Sequence, residues 1–166
     1  MSPGIRSRRS LAMSFVLACT FLAATAAPAR ADITAFLGLS PTPENHMVKG
    51  FGVGVGLLIV GFEFEYAHLS EDTFEQLTGL KTYSGNVLVQ TPTPTVQLYG
   101  TIGAEGYQET LGNRDETHYG TNIGGGAKIN LVGPLRVRLD YRIFKLQGEP
   151  VHDVYQRFYV GANLKF

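Results

Sequence analysis

The chain of 166 residues holds one cysteine and no tryptophan. A lone cysteine excludes a disulfide framework, a cysteine-based zinc site and an iron–sulfur cluster within one chain. Charge is also scarce, at 17% of residues against 44% hydrophobic. That composition is too polar for a bundle of transmembrane helices and too apolar for a disordered chain. Acids are missing altogether from the first 31 residues, which carry Arg6, Arg8, Arg9 and Arg30. Beyond them, 10 basic residues face 14 acidic ones, a net of about −4. A nucleic-acid-binding domain would carry the opposite excess. Finally, no helical period of useful length follows Asp32.

The N-terminal segment has its own logic. Arg6, Arg8 and Arg9 form a positive start, Ser10 to Ala27 is small and apolar, and Ala29-Arg30-Ala31 is an A-x-A site ahead of Asp32. This is the layout of a secretory signal peptide over 1–31, leaving a mature domain of 32–166 without cysteine. Val16-Leu17-Ala18-Cys19 also resembles a lipoprotein cleavage box, but the chain stays apolar after Cys19 instead of turning polar.

What remains alternates with period two, the mark of half-buried strands. Ile33, Ala35, Leu37 and Leu39 share a face; so do Phe51, Val53, Val55 and Leu57, with Gly50, Gly52, Gly54 and Gly56 opposite. Phe62, Phe64 and Tyr66 alternate with Glu63 and Glu65, and Tyr83, Val87 and Val89 with Ser84 and Asn86. The pattern recurs around Val96–Glu105, Tyr119–Leu131, Leu135–Ile143 and Phe158–Phe166. It predicts eight strands, most of about 9–13 residues, a length and even number that suit a tilted membrane-spanning barrel. Polar connections are expected at Pro41 to His46, Ser70 to Gly79, Leu111 to Thr117 and Gln147 to Asp153. Tight ones are expected at Leu58 to Val60, Pro92 to Pro94 and Val132 to Pro134. The longer set is acidic, with Glu44, Glu71, Asp72, Glu75, Glu109, Asp115, Glu116, Glu149 and Asp153 against Arg114.

Alternation does not say which face is inside. A water-soluble, lipocalin-like barrel would turn its apolar face inward. Glycine rows argue for the inverse, because the bore of eight strands is narrow. Tyr66, Tyr83, Tyr119 and Tyr141 on the apolar face suit an aromatic girdle. The ending Arg157-Phe-Tyr-Val-Gly-Ala-Asn-Leu-Lys-Phe166 resembles the C-terminal signature of bacterial outer-membrane β-barrel proteins. With the signal peptide and the unequal connections, residues 32–166 are similar to the small eight-stranded barrels of the OmpA/OmpX type. That resemblance implies an all-β, up-and-down transmembrane barrel in the outer membrane, monomeric, with both termini periplasmic. It implies contact with outer-membrane lipid and lipopolysaccharide. It also implies assembly by the barrel-assembly machinery, which would read Phe166 and Leu164. No appended periplasmic domain is expected.

The inward face concentrates charge. Arg136, Arg138, Asp140 and Arg142 lie on the seventh strand, with Lys128 and Arg157 on its neighbours. Glu63 and Glu65 lie on the third strand and Glu105 on the fifth. Charges in a narrow interior must be paired. Ion pairs are therefore expected across the bore between Glu63 or Glu65 and Arg136 or Arg138, with Asp140 bridging Arg138 and Arg142. This is a structural plug, the alternative being a narrow channel for small or apolar solutes.

No catalytic, metal or cofactor site is expected. His118-Tyr119-Gly120-Thr121-Asn122 is similar to the His-x-Ser-Asn stretch of lipid A deacylases, but Gly120 replaces the serine nucleophile, and Thr121 turns to the other face. His46, His68, His118 and His152 sit near the long-loop end but share no ligand spacing. The segment 70–79, with Phe74 and Leu77, is the expected contact for any extracellular protein partner.

Overall fold

The computed structural model describes residues 30–42, 46–69, 79–111, 114–147 and 154–166. They form eight strands: β1 (Arg30–Thr42), β2 (His46–Leu57), β3 (Val60–Leu69), β4 (Gly79–Gln90), β5 (Val96–Leu111), β6 (Arg114–Asn130), β7 (Leu135–Leu146) and β8 (Val154–Lys165). Each pairs antiparallel with its neighbour in sequence, and β1 pairs with β8, so the sheet closes on itself. Closure leaves the ring without an edge strand, although the projecting end of β6, residues 114–119, has no strand partner on its β7 side among the described residues. The seam runs from Asp32↔Lys165 to Leu39↔Phe158. The Phe166 amide extends it by donating to the Ala31 carbonyl at 2.8 Å.

Side-chain exposure settles the orientation of the two faces. Leu37 is 64% and Ile123 59% exposed, while Arg138 and Arg142 are fully buried. The apolar face therefore looks outward around the whole ring, the inverse of a lipocalin-like barrel. Such an outer belt would be an aggregation surface in water and is matched by lipid.

The connections differ from expectation. The polar stretch Leu111 to Thr117 is mostly strand: β5 and β6, at 16 and 17 residues, stay paired from Val96↔Ile129 to Leu111↔Arg114. Pro41 and Thr42 likewise belong to β1, and His46 opens β2. A backbone ladder does not require an apolar face, so polar sequence that reads as loop continues as ribbon. The connections at that end are 43–45, 70–78, 112–113 and 147–153; at the other they are 58–59, 91–95 and 131–134. Tight turning at the second end is visible in the backbone. Gly133 takes φ 58° and Leu58, unusually for a residue with a side chain, φ 46°. The expected signal peptide up to residue 29, Cys19, Glu44, the acids and apolar residues of 70–78, Glu149, His152 and Asp153 lie outside the described residues.

Candidate functional site in the barrel lumen

Three layers fill the bore. The middle layer is ionic. Glu63 accepts hydrogen bonds from both terminal nitrogens of Arg138 and, at 2.8 Å, from Arg142 Nη2. Arg142 also reaches Glu65 Oε2 at 3.3 Å, and Arg157 donates to Glu65 Oε1. Asp140 stands between the two arginines of its own strand. Its Oδ1 takes Arg142 Nε at 2.9 Å and its Oδ2 takes Arg138 Nη2 at 3.1 Å. Glu63, Glu65 and Asp140 thus balance Arg138, Arg142 and Arg157, all buried. Desolvating six charges is costly and is offset only when each also finds hydrogen bonds. Tyr99 and Tyr159 help to supply them. Tyr99 Oη donates to Asp140, accepts from Arg138 Nε at 2.7 Å, and its ring lies 4.7 Å from the Arg138 guanidinium carbon. Tyr159 Oη donates to Glu65 at 3.3 Å.

Glycine makes room for this layer. A Cβ on Gly124 would stand 2.7 Å from Arg142 Cγ, and one on Gly126 would stand 2.6 Å from Tyr99 Oη. At both positions the β7 backbone stands closer still, so the inward glycines of β6 fit the neighbouring strand as well as the Arg142 and Tyr99 side chains beside them.

Toward the end where β5 and β6 extend furthest, the bore is apolar. Phe36, Val48, Ala67, Leu69, Tyr107, Leu146 and Tyr159 form one buried cluster, against which Tyr155 packs. Phe36 and Tyr159 stack at 4.1 Å with planes 16° apart. Arg157 caps the cluster from below, 4.6 Å from the Phe144 ring and 5.4 Å from that of Phe36.

Toward the tight-turn end the bore opens into a cavity of about 330 Å³, bordered by Asp32, Gly54, Gln90, Gln97, Lys128 and Arg136. One carboxylate oxygen, Asp32 Oδ2, receives both Lys128 Nζ at 2.6 Å and Arg136 Nη2 at 2.8 Å. Arg136 is further held by Asn163 Oδ1 at 2.6 Å and Gln97 Oε1 at 3.1 Å.

The structure thus brings Glu63, Glu65, Arg138, Asp140, Arg142 and Arg157 together. It places Arg136 and Lys128 in a separate cluster. Arg136 does not reach the third-strand acids because strands in a barrel tilt and stagger. Residues equally far from their own turns therefore stand at different heights, and the acids of β3 meet arginines one step further along β7. Glu105 stands apart too: it is buried, yet neither carboxylate oxygen has a hydrogen-bond partner. Asp32, Tyr99 and Tyr159 were not singled out from sequence. Period two places Tyr99 on the polar face of its strand, whereas Asp32 has no sequence signal beyond flanking the A-x-A site.

The remaining candidates separate. His118 points inward and its ring lies 5.6 Å from that of Tyr107, whereas His68 faces outward. Among the described residues no cluster of metal-ligating side chains occurs. Gly120 is inward beside Glu105, while Thr121 is exposed on the outer wall.

A closed eight-stranded barrel with apolar outer wall and polar bore defines a class, the small outer-membrane barrels. The chain belongs to the outer membrane protein beta-barrel domain family, whose model matches residues 13–166. Solved structures agree in fold. The N-terminal β-barrel domain of Pseudomonas aeruginosa OprF superposes with TM-score 0.64 at 16% identity, covering 82% of this chain and 97% of that one. The Yersinia pestis outer membrane protein Ail in a phospholipid nanodisc gives 0.52 at 17%, covering 82% and 99%. The outer membrane enzyme PagL gives 0.53 at 10%, covering 80% and 98%. No curated protein matches the sequence.

Proposed function

We propose that this chain is a sealed outer-membrane barrel, serving envelope structure or contact at the cell surface rather than transport or catalysis. The observation that carries this reading is the stacking of two barriers in one bore. An ion passing the neutral arginine–carboxylate layer would have to break buried pairs, and beyond it the Phe36–Tyr159 cluster narrows the bore with apolar side chains. A catalytic reading lacks a nucleophile, since Gly120 has no hydroxyl and Thr121 faces away from His118.

Export with cleavage after Ala31 places both termini on the periplasmic side, with 43–45, 70–78, 112–113 and 147–153 at the surface. Segment 70–79 is the contact we assign to an extracellular partner. The outward exposure of Leu164 and Phe166 at the end of the last strand suits recognition by the assembly machinery. The barrel acts as a monomer. Planar-bilayer recording tests the seal: purified protein should give no ohmic conductance. Steady conductance from the wild-type barrel would favour the narrow-channel reading instead.

A further inference from the structure

The outer wall carries charge where a lipid-facing belt should carry little. The registers Lys49↔His68 and His68↔Lys81 set three basic side chains side by side on β2, β3 and β4. All three face outward, toward the end where β5 and β6 extend furthest. The two lysines flank one imidazole, so two cations share a single cross-strand row. Among the described residues neither lysine has a carboxylate within ion-pair distance. His68 Nδ1 is buried without a hydrogen-bond partner.

One row deeper the wall turns aromatic and then shallow. Phe51, Tyr66 and Tyr83 pack in sequence, with ring centroids 5.6 and 5.0 Å apart. Phe51 is paired with Ala35, and Ala35 with Ala162. The two alanines lie in a shallow outward groove that Leu37, Phe51 and Tyr66 border and that Lys49 and His68 also line. Small floor, apolar walls and a cationic rim together fit an acyl chain with an anionic headgroup.

We infer that this groove is a binding site for a lipid bearing a phosphorylated headgroup. The phosphate sits on Lys49, His68 and Lys81, and an acyl chain lies along Ala35 and Ala162. The inference rests on the outer-membrane reading above.

Protein extracted from outer membranes is to be reconstituted into phosphatidylcholine nanodiscs containing a minor fraction of diphosphorylated lipid A. The lipid retained after repurification is then measured by mass spectrometry. The wild type should enrich the phosphorylated lipid over its dephosphorylated counterpart. Lys49→Gln with Lys81→Gln should lower that enrichment roughly thirtyfold, since each surface cation gives about fivefold against an anionic lipid. Ala162→Leu, which fills the floor and spares the cations, should lower it as well. Equal retention by wild type and the double lysine variant would overturn the site. Equal retention of phosphorylated and dephosphorylated lipid would also overturn it. Heat-modifiable migration on SDS gels reports the barrel separately. A chain showing no such shift would overturn the outer-membrane reading, and the site with it.

Discussion

The two ends of the bore solve the same packing problem with opposite chemistry. At the end where β5 and β6 project, stacked aromatics and aliphatic side chains fill most of the interior and leave only a small pocket beside Ser40, Thr82 and Glu105. At the tight-turn end it holds amides, lysine and arginine around an open cavity of about 330 Å³. Between them lies the ionic layer, touching both: Tyr159 belongs to the cluster yet donates to Glu65, and Arg138 lies within reach of Thr34 toward the cavity side. The difference teaches which charges matter. Those in the middle have no water to fall back on, whereas Lys128 and Arg136 border a cavity that can hydrate them. The cost of losing a partner should therefore fall from the middle outward.

Urea unfolding in detergent can break this ordering. Glu63→Gln with Glu65→Gln strips Arg138, Arg142 and Arg157 of two carboxylates. It should destabilise the barrel by about 4 kcal/mol, the scale of a broken buried pair. An unchanged unfolding midpoint would end the case for an energetically coupled middle layer. Phe36→Ala empties the apolar end and should cost about 3 kcal/mol. It should leave planar bilayers silent, because the ionic layer still closes the bore; conductance in this variant would move the seal to the aromatic cluster. Gly124→Ala pushes against Arg142 and the β7 backbone and should cost about 2 kcal/mol. Glu105→Leu removes a buried carboxyl group whose oxygens have no hydrogen-bond partner and should raise stability by about 1 kcal/mol. Lys128→Gln leaves Asp32 paired with Arg136 beside the cavity and should cost only about 1 kcal/mol; a much larger loss would erase the distinction between the two ends.

Much of the barrel was legible in the sequence because one physical variable, the side-chain period, fixes both strand and face. Eight alternating runs, with Ile33, Phe51, Phe62 and Phe158 on the outer side, are the observed strands and the observed outer wall. Strand ends were less legible. Thr110, Asp115 and Thr117 are polar in a region where membrane no longer imposes alternation, so nothing in their chemistry separates ladder from loop. Contacts in the bore were legible by type and less so by partner. That Glu63 needed an arginine followed from burial, but that Arg142 would supply one, and Arg136 would turn to Asp32, depends on the stagger of the whole ring. The apolar cluster was hidden for a related reason. Phe36, Val48 and Leu69 sit at inward positions of strands whose other inward residues are small or polar, and no single strand reveals that they meet at one level.

The seam between β1 and β8 bears on the order of events in folding. The first strand finds its second partner only in β8, and the register from Asp32↔Lys165 to Leu39↔Phe158 joins the first strand of the barrel to the eighth. No earlier stage of synthesis can complete the ring, and each incomplete stage exposes two unpaired edges that lipid cannot satisfy. Closure is thus a single late step of maximal sequence separation, slow by nature. Until it happens, the chain must travel with its apolar stripes unsheltered. Residence time before closure, more than final stability, should decide how much of this protein reaches its membrane.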